Sequence, residues 1–175
     1  MKKIISGTTL EAVQGDIVNQ PEVEAVVNAA NAQLTMGGGV AGAIHRAAGP
    51  ELEKECQNKA PIEPGEAVVT KGYQLPNNYV IHVLGPRYGE DKPEAELLGK
   101  AYQNALDLAE QNNIKSVAFP AVSCGAFGYP LQEATSVALC VIADKAPQLD
   151  LDLIRFVLYT QEDLEEYQRQ LSQLL

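Results

Sequence analysis

Apolar residues in this chain alternate between short β-branched runs and helical stripes. Leu10 to Asp16 predicts a first strand, at the edge of a sheet or as a hairpin arm, ending at Gly15-Asp16. Val23 to Asn28 predicts a second, buried strand. From Val40 the apolar positions Val40, Ala43, Ile44, Ala47 and Ala48 recur at helical spacing until Gly49-Pro50 ends the helix. Glu51 to Lys59 predicts a short second helix. Ala67 to Lys71 and Tyr79 to Leu84 read as strands, with turns at Pro61 to Gly65 and Gly72 to Asn78. Glu94 to Gln111 places Leu98, Ala101, Tyr102, Ala105 and Ala109 on one face of an amphipathic helix. Ser116 to Val122 is a buried strand. It is followed by a helix with Ala134, Val137, Ala138, Val141 and Ile142 inward, a core strand from Leu153 to Tyr159, and a terminal helix from Glu162 to Leu175. Several strands are apolar on both faces, so the pattern predicts an α/β fold with a largely parallel, helix-covered sheet.

Two loops stand out against this frame. Val26 to Asn31 leads through Gly37-Gly38-Gly39 into a helix, and Ser116 to Val122 leads through Ser123 to Pro130 into another. Consecutive glycines admit positive φ and close approach of a ligand to the backbone, and a helix start leaves N–H groups without internal partners. Such places bind anions, most often phosphate. Gly37, Gly39 and Gly42 also satisfy the spacing of a dinucleotide-binding fingerprint, which would make the chain an NAD-linked oxidoreductase. That pattern fits poorly, because Asn31 to Met36 intervene after the strand and Lys71, not an acid, follows the next one. In a parallel sheet ligands bind beyond strand carboxyl ends, so two neighbouring loops of this kind would hold a diphosphate between them.

Composition narrows the choices. A chain of 175 residues, 46% hydrophobic, predicts one globular domain spanning 1–175, and a net charge of −10 argues against general nucleic-acid binding. An anionic ligand must then be held by backbone amides. The N-terminal segment lacks a signal-peptide core and no eighteen-residue apolar run occurs, so a cytoplasmic location, with no membrane association, is expected. Cys56, Cys124 and Cys140 suggest neither a metal site nor a disulfide framework. Cys56 and Cys140 read as small buried hydrophobes, and Cys124 lacks a histidine partner for nucleophilic work. His82 alternates with apolar neighbours and reads as a packed strand histidine with one hydrogen-bond partner.

Taken together, Gly15-Asp16-Ile17, Val26-Val27-Asn28-Ala29-Ala30-Asn31, Gly37 through His45, Gly65-Glu66-Ala67, Val80 through Pro86 and Pro120 through Pro130 resemble the macrodomain family over nearly the whole chain. The likeness is greatest to the MacroD-like branch, which includes bacterial O-acetyl-ADP-ribose deacetylases and viral macrodomains. It implies a three-layer α/β/α sandwich that binds ADP-ribose or an ADP-ribosylated protein, as a monomer, with no metal and no cofactor. It further implies that Asp16 accepts from the adenine amino group beside the Ile17 backbone; a turn aspartate is the plainer reading of the same residue. Tyr159 would stack near adenine, or else is a core tyrosine. Gly37, Gly38, Gly39, Val40 and Ala41 would wrap the diphosphate from one side, and Val122, Ser123, Cys124, Gly125, Ala126 and Phe127 from the other. Asn31, Gly38 and Phe127 would serve the chemistry at the distal ribose, with Asn31 orienting the substrate and Phe127 packing on the sugar. Asn28 is expected to brace the loop from inside.

The sequence departs from MacroD-like hydrolases at one point. Those carry Gly-Gly-Val-Asp-Gly, whereas Ala41 stands at the aspartate position here. An alanine accepts no proton. Viral macrodomains share the alanine and are considered hydrolases, with water oriented by the substrate phosphate. Two functions follow: a hydrolase of mono-ADP-ribosyl esters on acidic side chains or of O-acetyl-ADP-ribose, and a reader that binds ADP-ribose without chemistry.

Overall fold

The β-branched runs become the interior of a mixed sheet in a computed structural model that describes residues 1–174; Leu175, where the expected terminal helix ends, lies outside the described residues. The strands are β1 (Lys2–Ile5), β2 (Thr8–Gln14), β3 (Ala25–Ala29), β4 (Ala67–Lys71), β5 (Tyr79–Val83), β6 (Ser116–Phe119) and β7 (Leu153–Leu158). Their order is β1-β2-β7-β6-β3-β5-β4. The five inner strands run parallel, and only β1 and β4 are antiparallel to their neighbours.

Strand alternation sorts side chains between two cores. Leu10, Ala25, Val27, Ile81, Val117, Phe119, Ile154 and Phe156 face one side, beneath α3 (Glu94–Gln111), α4 (Leu131–Lys145) and α5 (Gln161–Leu171). Val26, Val80, Ala118 and Val157 face the other, beneath α1 (Gly39–Ala48) and α2 (Pro50–Gln57). The result is the expected α/β/α layering.

Two expectations need correction, and one open choice is decided. The strand beginning near Leu10 is a hairpin arm and not an edge strand, because β1 pairs with it through a turn in which Ser6 and Gly7 both have positive φ, 51° and 86°. That geometry matches the twist of adjoining strands and is the usual two-residue hairpin solution. Cys140 is exposed, unlike the buried Cys56. His82 has more than one neighbour: Asn28 Nδ2 lies 3.0 Å from its Nδ1, while Thr70 Oγ1 at 2.9 Å and Cys56 Sγ at 3.8 Å face its Nε2. With the Asn28 amide donating, Nδ1 accepts and Nε2–H points at Thr70, whose hydroxyl donates to the Lys71 carbonyl at 3.1 Å.

His82 is fully buried, and its ring centroid lies 6.4 Å from that of His45, also buried. Burial pushes His82 down to about 3 and lowers His45 as well. A histidine that stays neutral in the fold but titrates near 6.5 when unfolded contributes stability above that pH and loses it as pH falls. The free energy of unfolding in urea should therefore fall from pH 6.5 toward pH 4, at up to about 1.4 kcal/mol per pH unit for His82. His82→Asn should flatten that slope; an unchanged slope would mean that this imidazole is not held neutral.

A candidate ligand cleft between two glycine-rich loops

β3 and β6 are parallel neighbours, with Ala25 opposite Val117 and Val26 opposite Ala118. Both strands therefore empty at the same end of the sheet, each through a glycine-rich loop into a helix. Between the loops lies a cleft of about 300 Å³. Asn31 and the segment 37–41 line one side, and Ala121, Val122, Ser123, Gly125, Ala126 and Phe127 the other. Ala29, Ala30 and Gly85 complete it, and no lining residue is ionisable.

Main-chain amides supply most of the polarity. α1 is capped by Gly38, which offers no side-chain acceptor, so the amides of its first turn point outward without partners. In the second loop the amides of Cys124, Gly128 and Tyr129 are committed to Ala121, Gly125 and Ser123 carbonyls. Those of Gly125, Ala126 and Phe127 have no acceptor among the described residues.

Close packing fixes these loops. A Cβ at Gly42 would lie 2.3 Å from the Gly37 carbonyl oxygen, so only glycine lets α1 back onto the first loop. A Cβ at Gly85 would lie 2.1 Å from Ser123 Oγ and 2.8 Å from a Val122 methyl. Ser123 itself has φ of 67° and a buried hydroxyl without a partner, a strained arrangement of the kind that clusters at functional sites. Tyr102, fully packed in the core, receives the Val122 amide at 3.4 Å and anchors the loop's start.

One of the two asparagines departs from its expected task, while Asn31 lines the cleft as expected. Asn31, not Asn28, braces the first loop: its Nδ2 donates to the Thr35 carbonyl at 2.9 Å, and its Oδ1 accepts from the Thr35 amide and hydroxyl at 3.1 and 3.3 Å. Its oxygen is thereby saturated, leaving one N–H to offer into the cleft. Asn28 is buried against His82 instead, because the side chain of a strand residue is fixed by the pleat.

Asp16, Ile17, Cys124 and Tyr159 do not line the cleft. Asp16 and Tyr159 nonetheless meet at the same rim: Gln14 pairs with Leu158, and the Gly15 amide donates to the Leu158 carbonyl at 3.0 Å, leaving the next residues side by side. Tyr159 is 84% exposed, which rules out the core reading. Asp16 is exposed, and its Oδ1 accepts from the Val18 amide at 3.1 Å. Ile17 is buried. The Cys124 thiol faces the Val122 carbonyl at 3.6 Å, and burial pushes it up to about 12, so it remains protonated. Gly85, Ala29, Ala30 and Ala121 were not singled out as contacts; their signal was small residues at strand carboxyl ends.

Residues 27–138 match the Macro domain family, and the chain is 46% identical over 170 residues to the O-acetyl-ADP-ribose deacetylase of Salmonella typhimurium, covering 94% of each. The chain belongs to the Macro domain family. Its fold agrees with that of the Oceanobacillus iheyensis macrodomain with ADP, at 41% identity and a TM-score of 0.94, over 99% of this chain and 95% of that one. It is also similar to the Trypanosoma brucei macrodomain in complex with ADP-ribose, at 38% identity and a TM-score of 0.86, over 91% and 68%. The literal dinucleotide-fold fingerprint is thus accounted for within a macrodomain. Among the described residues no helix is long and apolar enough to cross a membrane.

If the Gly37 carbonyl is held by the bare face of α1, Gly42→Ala must displace it. The macrodomain variant should lose about 1–3 kcal/mol of unfolding free energy, measured in urea, as for other overpacked sites. A neutral result would show that the first loop shifts without resistance.

Proposed function

We propose that this macrodomain binds ADP-ribose and hydrolyses esters of it: mono-ADP-ribosyl groups on acidic side chains, O-acetyl-ADP-ribose, or both. The observation that carries the reading is the pairing of β3 with β6, which sets two groups of unpartnered amides on one cleft that has no cationic side chain. The diphosphate sits between them, adenine lies toward Asp16 and the exposed Tyr159, and the distal ribose lies toward Asn31 and Phe127. The deacetylase name of the Salmonella relative and the ADP-ribose in the trypanosome structure support the same ligand.

The chemistry suits a cleft without titratable groups. Water adds to C1 of the distal ribose, the C1–O bond to the acyl group breaks with its electron pair going to oxygen, and the water proton passes to a phosphate oxygen or solvent. The leaving group is a carboxylate, stable as an anion above about pH 4, so no general acid is required. An alkoxide or a neutral guanidine would need protonation as it left, and no cleft residue supplies a proton. In deacetylation water adds to the acetyl carbonyl instead, the acyl C–O bond breaks with its electron pair going to the ribose oxygen, and that oxygen takes up the proton released by the added water, by way of a phosphate oxygen or solvent, as acetate forms. Asn31, with its single free N–H, orients the ribose. The absence of a base at Ala41 equally motivates a reader that binds and does not cleave.

Two measurements decide between them. Calorimetry should show ADP-ribose binding that weakens about tenfold in Asp16→Ala, the loss of one charge-assisted hydrogen bond. Gly38→Glu should weaken it by about a hundredfold or more, because Gly38 has φ of −87° and open space, so the fold tolerates the side chain while its charge enters the phosphate path. Unchanged affinity in both would place the ligand elsewhere. Incubation with a glutamate-linked mono-ADP-ribosylated protein and with O-acetyl-ADP-ribose should release product above the buffer rate, with Asn31→Ala lowering turnover more than affinity. Binding without release would establish the reader.

A further inference from the structure

The cleft does not end at Phe127. A second cavity of about 370 Å³ opens beyond it, and Asn31 and Phe127 line both spaces. Its remaining walls are Ala32, Pro64 and Leu84, closed on one side by Arg87 and Asp91. Ala32, Leu84, Arg87 and Asp91 come from the loops after β3 and β5, and Pro64 from the loop that enters the antiparallel β4, so the cavity continues along the same rim of the sheet. Read across the strand ends, the order is Asp16 at β2, Tyr159 at β7, the two amide loops at β6 and β3, and this cavity at β5. A ligand laid with its adenine at the first position and its diphosphate at the middle directs its distal ribose toward the last.

The polar wall of the cavity is already satisfied. The Arg87 backbone amide and Nε donate to Asp91 Oδ2 at 2.8 and 3.0 Å, and Nη2 donates to Oδ1 at 3.1 Å. Nη1 lies 3.0 Å from Glu90 Oε2. One guanidinium faces two carboxylates, so the wall offers no spare cation for a free carboxylate or phosphate. What it offers is an apolar recess beside a slightly negative rim. The same loop is tied to the cleft, because the Tyr88 amide donates to the Phe127 carbonyl at 2.8 Å.

Resting on the function proposed above, we infer that this cavity is the subsite for the leaving side of the substrate: the esterified acidic side chain and the peptide that flanks it. A neutral acyl chain packs against Ala32, Pro64 and Leu84, and the peptide leaves past Arg87. Neutral or basic neighbours of the modified residue suit the rim, and acidic neighbours are repelled. An acetyl group is too small to need the recess.

The test compares free ADP-ribose, O-acetyl-ADP-ribose and glutamate-linked ADP-ribosyl peptides, with neutral and with acidic flanks, on the wild type and two variants. Ala32→Leu fills the recess and should cut kcat/KM for the peptides at least tenfold. Arg87→Glu, at an exposed position, should cut it at least tenfold for the acid-flanked peptide and less for the neutral one. Both variants should keep the ADP-ribose Kd and O-acetyl-ADP-ribose turnover within twofold of wild type, which also shows that they fold. Where the wild type binds without cleaving, the same differences are read on the peptide Kd. Intact ADP-ribose binding with no peptide-selective loss in either variant overturns this subsite alone. Failure of the wild type to bind ADP-ribose overturns the parent reading and this one with it.

Discussion

Backbone N–H groups that a fold cannot satisfy internally must find water or a ligand, and this chain collects two sets of them at one place. The parallel pairing of β3 with β6 causes that convergence: neighbouring parallel strands exit on the same side, so their loops share a crevice. Everything around the crevice keeps it narrow and uncharged. Gly42 and Gly85 remove the two side chains that would separate helix from loop and strand from loop. In a protein of net charge −10, attraction for an anion is thereby confined to a ring of dipoles and absent from the general surface.

Beneath α1 the fold tolerates a polar cluster that would otherwise destabilise the core. Asn28, Thr70, Cys56 and His82 meet there, bringing together residues from β3, β4, α2 and β5. Asn28 and Thr70 are each hydrogen-bonded to His82, while Asn28 Oδ1 is buried with no partner among the described residues; in a low-dielectric interior a slip would leave further donors unpaired, which favours one packing geometry. The cluster fixes the register of β3 against β5, and β3 is the strand from which the first loop departs. The rigidity of the crevice thus begins one layer below it.

Most of this architecture was legible in the sequence because its signals were local. The runs Val80 to Leu84 and Val117 to Val122 are apolar on both faces, and the stripes in α3 and α4 follow helical spacing, so their type needed no knowledge of neighbours. β1 escaped notice because Lys2-Lys3-Ile4-Ile5 is half exposed, with Ile4 at 73%, and its real signal was the Ser6-Gly7 turn. The bracing task expected of Asn28 falls to Asn31 for a different reason. Both carry the same amide, and the partner that claims Asn28 is 54 residues away. Cys140 lay next to an apolar stripe and was taken into it. The second cavity was beyond sequence reasoning, since its walls come from separate segments, and Ala32, Pro64, Arg87 and Asp91 belong to no motif.

The Ser6-Gly7 hairpin has one more effect. An inner strand left at a sheet's margin displays a row of open donors and acceptors that recruits other chains. Here β2 is covered by a four-residue strand whose first two side chains are lysines, and the opposite margin, β4, ends in another lysine whose amide is taken by Glu55 at 3.1 Å. Both flanks of the sheet are short, antiparallel and cationic, which discourages copies of the molecule from zipping together at high concentration.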